Sequence, residues 1–151
     1  MKKGIIWICI LCVLCLFGCS KKIERNYHCT VTVDADNLML SSTALAHDAL
    51  ESLGSAFEAI RDADVTFAEG ETVRDVLVRT LQDAKLSYEI DSEGFISSIG
   101  GLGNQDAGLF SGWIYTVNGK MPSVSSGEYV LQEGDAVRYF FLIDFTTYKE
   151  G

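Results

Sequence analysis

Hydrophobic and polar positions alternate with two different periods along this chain, and the switches between them mark its elements. Tyr27, Cys29, Val31 and Val33 alternate with His28, Thr30 and Thr32, the period-2 pattern of a strand with one covered face. Cys29 then points inward and reads as a small buried hydrophobe. Val65-Thr66-Phe67 continues as a second strand, ended by a turn at Glu69-Gly70-Glu71. Thr72 with Asp75 three residues later is a capping-box signature. Beyond it Val73, Val76, Leu77, Thr80, Leu81 and Ala84 recur at helical spacing, which predicts an amphipathic helix with an Asp75–Arg79 i,i+4 pair on its wet side.

The period then returns to two. Leu86, Tyr88 and Ile90 lead to a turn at Asp91-Ser92-Glu93-Gly94, and Phe95 to Ile99 forms the hairpin partner. Residues 100–108 contain four glycines and predict no packed element. Trp113 to Val117 is a strand, Tyr129 to Leu131 a short one, and Glu133-Gly134-Asp135 a tight turn. In the last strand, Ala136 to Phe145, one face carries Val137, Tyr139, Phe141, Ile143 and Phe145 and the other Phe140 and Leu142, as expected of a central strand covered on both faces. Residues 38–60 fit either a short helix near 43–53, with Leu45, Ala49, Leu50 and Leu53 on one face, or an irregular insertion. The order predicts a single α+β domain over 27–151, a mixed sheet with one main helix packed across it.

The first residues have a different logic. Lys2 and Lys3 precede an apolar run from Ile5 to Leu16, too short for a stable bilayer span, which is the form of a signal peptide over 1–18. Leu16-Phe17-Gly18-Cys19 resembles the bacterial lipobox, with Phe17 the one departure, and implies acylation of Cys19. Cys9, Cys12, Cys15 and Cys19 also have iron–sulfur spacing. The aliphatic residues between them and the absence of a following proline speak against a cluster. Residues 19–26 then form a lipidated, polar tether, and the expected location is the extracytoplasmic face of the cell membrane.

The chain has 151 residues and a net charge of −9; removing residues 1–18 takes two lysines and no acid and lowers it to −11. Phosphate backbones repel such a module, so nucleic acid is not an expected partner. Only Cys29 remains in the folded part, which excludes an intrachain disulfide there. Chemistry is sparse. His28 and His47 stand in no catalytic motif, and Gly108-Leu109-Phe110-Ser111-Gly112 misplaces its serine for a nucleophile elbow. Asp91-Ser92-Glu93-Gly94 is too short for a calcium loop, and the glycine-rich run lacks the strand-then-helix setting of a phosphate loop. The chain is not expected to be an enzyme or to carry a metal or resident cofactor.

Val65-x-Phe67-x-Glu69-Gly70-Glu71-Thr72-Val73-x-Asp75-Val76-Leu77, then Gly112-Trp113-Ile114-Tyr115-x-Val117-Asn118-Gly119 with Pro122, then Tyr129-x-Leu131-x-x-Gly134-Asp135, resembles the DUF4430 family of bacterial surface lipoproteins, also called transcobalamin-like C-terminal domain. The resemblance covers Cys29 to Phe145. It implies a β-grasp-like fold, similar to the small β domain that closes over the corrin ring in vitamin B12 carriers, and hence a module for a corrinoid (cobalamin) or another small molecule. Ala107, Ser125 and Ser126 stand where some members carry cysteines, so any disulfide of those members is absent. The carrier's partner domain is absent too, leaving one wall of a pocket.

Two readings of Trp113 and Tyr115 follow. On one, alternation sends both rings to the core. On the other they line a binding rim with Phe110, Ser111 and the turn from Asn118 to Pro122. The functional alternative to a ligand module is a non-catalytic interaction or spacer domain with a protein partner in the cell envelope.

Overall fold

The computed structural model describes residues 26–41, 43–53, 58–146 and 148. The expected signal peptide, the expected lipidation site Cys19 and all of the expected tether but Asn26 lie outside the described residues.

Strand β1 (Tyr27–Asp34) is an inner strand because its alternation is strict: Cys29, Val31 and Val33 are buried on one face. It pairs antiparallel with β2 (Ile60–Phe67), Cys29 opposite Val65. The chain then crosses the sheet as helix α3 (Val73–Asp83), after the short helices α1 (Asp36–Met39) and α2 (Ala44–Leu53). A meander of β3 (Tyr88–Ile90), β4 (Ile96–Ile99) and β5 (Leu102–Gly103) forms a second, three-stranded sheet. Strand β6 (Gly112–Val117) and β7 (Ala136–Leu142) complete the main sheet in the order β2-β1-β7-β6, with β7 parallel to β1. Two antiparallel pairs joined through a helix, with first and last strands parallel at the centre, is the β-grasp arrangement expected from the sequence.

The helix forms where predicted. Thr72 Oγ1 accepts the Asp75 amide at 3.3 Å, and Asp75 Oδ2 accepts the Thr72 amide at 2.9 Å, satisfying two donors that a helix start leaves open. Val73, Val76, Leu77 and Leu81 are fully buried against Val31, Val33, Phe67 and Phe141. Each such side chain contributes about 1.5–3 kcal/mol by leaving water.

Several expectations are corrected. Asp75 is engaged in the cap, and Arg79 instead pairs with Glu71, Nη1 to Oε1 at 2.6 Å. Ala84 is exposed, because the helix ends at Asp83. Helix α2 does form over the expected stretch, but it buries Ala46, Ala49 and Leu53 and leaves Leu45 54% exposed. The glycine-rich run does contain a packed element: Gly100 and Gly101, at φ 63° and 88°, turn β4 into β5 and carry Leu102 into the core. Tyr129 to Leu131 forms no strand, only an isolated bridge from Val130 to Thr72. Strand β7 stops at Leu142, and Phe145 lies beyond it, half exposed, its ring edge-on to Phe110. Phe140, on the far face of β7, is covered by the Arg138 guanidinium, 4.6 Å from its ring centroid, and by the ring of Tyr148.

Candidate functional site

Strand β6 ends in a two-residue turn, Asn118-Gly119, at φ 54° and 77°, closed by hydrogen bonds between Val117 and Lys120. These left-handed values suit Asn and Gly and match the twist of a hairpin. The Asn118 side chain is consumed by the turn: Nδ2 donates to Asp135 Oδ1 at 2.8 Å and Oδ1 accepts the Ala136 amide at 2.9 Å. At the other end, Ser111 is buried. Its Oγ donates to the Gly108 carbonyl at 2.8 Å and accepts the Ala107 amide at 3.1 Å.

Between these ends Trp113 and Tyr115 share the inner face of β6. The indole Nε1 donates to the Leu102 carbonyl at 2.8 Å, and the ring stands edge-on to Phe141, centroids 5.5 Å apart. The Tyr115 ring stacks on Tyr139 at 5.5 Å, and its hydroxyl donates to the Val124 carbonyl at 2.6 Å. Both rings belong to the core, yet both also wall a cleft of about 440 Å³. Its rim is apolar and wet: Phe95, Met121 and Val124 are each 38–45% exposed. Ser123, Ser125 and Glu128 supply the polar positions.

The cleft is electrically quiet. Burial pushes the Tyr115 phenol up to about 12 and raises Tyr139 further, so both stay neutral at physiological pH. Glu128 is the one charged residue lining the cleft; hydrogen bonds from the Ser125 hydroxyl and amide hold its carboxyl below the usual range. The Arg74 guanidinium lies against Gly127 and donates to the Gly94 carbonyl at 2.9 Å. No histidine lines the cleft; His28 sits on the outer face of β1 beside Asp64, at 3.2 Å. Among the described residues no group of three acids, histidines or cysteines is placed to hold a metal. Apolar walls with hydroxyl and carboxylate tips bind and orient a ligand.

Of the rim expected from the sequence, the cleft brings together Trp113, Tyr115 and Met121 of the Asn118-to-Pro122 turn. Ser111 lines a second hollow, bordered also by Trp113 and Phe145, and the Phe110 ring stands against Phe145. Asn118 and Pro122 line another beside Tyr129. Sequence reasoning missed Phe95, Val124, Glu128 and Tyr139. Tyr139 was legible in principle as a cross-strand partner of Tyr115; the loop residues carried no periodic signal.

The family model of DUF4430, a domain of unknown function, matches residues 70–141, from the turn before α3 into β7. Among solved structures, haptocorrin in complex with Cbi matches with a TM-score of 0.56 and 16% identity, over 82% of this chain and 27% of haptocorrin. A candidate metal binding protein from Ruminococcus gnavus matches with a TM-score of 0.42 and 19% identity, over 83% of this chain and 98% of that one. The chain thus spans about a quarter of haptocorrin's length, and the likeness is one of fold. No curated protein matches the sequence.

Proposed function

We propose that this chain is a non-catalytic binding module, held at the extracytoplasmic face of the cell membrane through a lipidated Cys19, whose small-molecule ligand seats in the cleft beside β6. The observation that carries the reading is the open cleft of about 440 Å³ walled by Trp113 and Tyr115, a volume within the usual range for small-molecule sites. A corrinoid is the first class to test, because the fold is similar to that of haptocorrin, whose structure holds Cbi. One domain supplies one wall, so a second domain or a transport partner completes the site under this reading. Titration of the chain with cobalamin, followed by Trp113 emission, is expected to give saturable quenching that Trp113→Phe abolishes. An unchanged signal at micromolar cobalamin removes the corrinoid version. The anchor is tested separately: Cys19→Ala is expected to release the protein from the membrane fraction.

A second reading, an interaction domain of a cell-envelope assembly, draws on a different surface. Leu109, Phe110 and Phe145 are 47–69% exposed, and Phe145 is tied to Phe110 by a hydrogen bond from its amide at 3.1 Å. Co-purification of one stoichiometric partner, lost in Phe110→Ser with cobalamin binding intact, favours it.

A further inference from the structure

We propose that the ligand of the cleft is a short, extended, basic peptide that adds to the main sheet as a strand against β6. This rests on the cleft being the binding site, as proposed above, and names the chemistry it selects. Strand β6 is an edge strand and pairs with β7 alone among the described strands. The Trp113 amide turns away from β7 and donates to Asn104 Oδ1 at 2.9 Å; the Val117 amide does the same to the Lys120 carbonyl. The period of two puts the N–H and C=O of Tyr115, between them, on the same outward edge. Tyr115 stands opposite Tyr139 with the rings in contact, as in the close, non-hydrogen-bonded pairs of an antiparallel ladder. No described residue supplies either of its backbone groups with a partner. A hairpin continued past the Val117–Lys120 bridge would place residue 122 opposite Tyr115. That residue is Pro122, which has no N–H to give, and the pairing ends there.

The other edge of the sheet is treated differently. Strand β2 carries Arg61, Asp62 and Asp64, its pairing with β1 is irregular between Val31 and Val33, and Asp62 is held at φ 45°. Charges and bulges of this kind keep a sheet edge from accepting another strand. Strand β6 has neither, and Tyr115, whose amide and carbonyl lie on its outward edge, is among the residues lining the cleft. An added strand gains main-chain hydrogen bonds and offers alternate side chains to two sides. The cleft here has an apolar rim of Phe95, Met121 and Val124 and one charge, Glu128, in a chain of net charge −9. The complementary ligand carries both apolar and basic residues.

The test uses acetyl-Val-Lys-Val-Lys-Val-amide with the full chain in non-ionic detergent. Expected are saturable binding, at least tenfold slower hydrogen exchange at the Tyr115 amide, and at least tenfold weaker binding of the same peptide N-methylated on its backbone. Glu128→Gln is expected to weaken binding severalfold, and glutamates in place of the peptide's lysines to abolish it. Equal affinity of the N-methylated peptide, or unchanged exchange at Tyr115, overturns the inference. Cobalamin binding without peptide binding overturns it while leaving the proposed module intact. Peptide binding whose protected amides fall on β2, with no cobalamin binding, overturns it together with the corrinoid version of the module.

Discussion

The guanidinium of Arg138 closes on the fully buried carboxylate of Asp34 through two hydrogen bonds, Nε to Oδ2 at 2.7 Å and Nη2 to Oδ1 at 3.0 Å. The two residues lie on the parallel central strands β7 and β1, so the pair clamps the first strand of the domain to the last. Removing the cation leaves a carboxylate in the sheet without its counter-charge. Arg138→Met is expected to cost about 3 kcal/mol, the low end for a broken buried pair, since the Arg138 side chain is itself 45% exposed. Asp34→Asn with Arg138→Met is expected to recover part of that loss. Urea unfolding of the single and double variants checks it; an additive double variant refutes the coupling.

Gly112 is required by a neighbour. A Cβ placed there would come within 2.8 Å of Asn104 Oδ1, the atom that accepts the Trp113 amide. Gly112→Ala is therefore expected to push the Asn104 side chain off that amide, with a loss of about 1–2 kcal/mol for an amide left unpaired. Asn104→Ala is expected to cost a similar amount, and the two changes together little more than one. Thermal unfolding gives the energies, and faster hydrogen exchange at the Trp113 amide identifies the cause.

Two buried acids set the alkaline limb of stability. Burial pushes the Cys29 thiol up to about 11 from 9.0, and the Tyr115 phenol up to about 12 from 10.0. In both cases the unfolded chain loses its proton first, so stability is intact below pH 9 and is lost as pH rises through the folded-state values. Each group contributes at most about 1.4 kcal/mol per pH unit to that slope. Urea midpoints are expected to be flat from pH 7 to 8 and to fall steadily from 9 to 12. Cys29→Val is expected to delay the onset by about one pH unit, and no delay removes the assignment to the thiol.

The periodic elements were legible in the sequence because period reports burial directly. The alternation of Cys29, Val31 and Val33 and the helical spacing of Val73 to Leu81 each identify the face that packs. What failed was partner choice and loop packing. Arg79 had two carboxylates in reach, and the cap had already taken Asp75, so Glu71 won. Leu102 sits between glycines in a run with no pattern, and only the strand before it brings it inside. The candidate site shows the same division. Trp113 and Tyr115 share a face by alternation, whereas Phe110, Ser111, Asn118 and Pro122, near in sequence, are parted because a strand of six residues separates its two ends. Phe95 and Val124 reach the cleft through tertiary packing alone.

The start of α3 offers a test in which pH and mutation must agree. Asp75 Oδ2 accepts both the Thr72 amide at 2.9 Å and the Thr72 hydroxyl at 2.7 Å, while Thr72 Oγ1 accepts the Asp75 amide. Burial raises the Asp75 carboxyl, but the bonds from the Thr72 side chain and backbone outweigh it and leave the group below its usual range. A carboxylate depressed in this way stabilises the fold above its unfolded value, 3.8, and the contribution is lost as pH falls through the folded one. Thr72→Ala deletes the hydroxyl and is expected to cost about 1 kcal/mol at pH 7, typical of a lost N-cap. The gap between wild type and variant is then expected to narrow below pH 4, as the carboxyl protonates in both and its bond from the hydroxyl weakens. Urea unfolding at pH 7, 4 and 3 measures it. A gap that stays constant across that range assigns the whole cost to the Thr72 oxygen as acceptor and none to the charged pair.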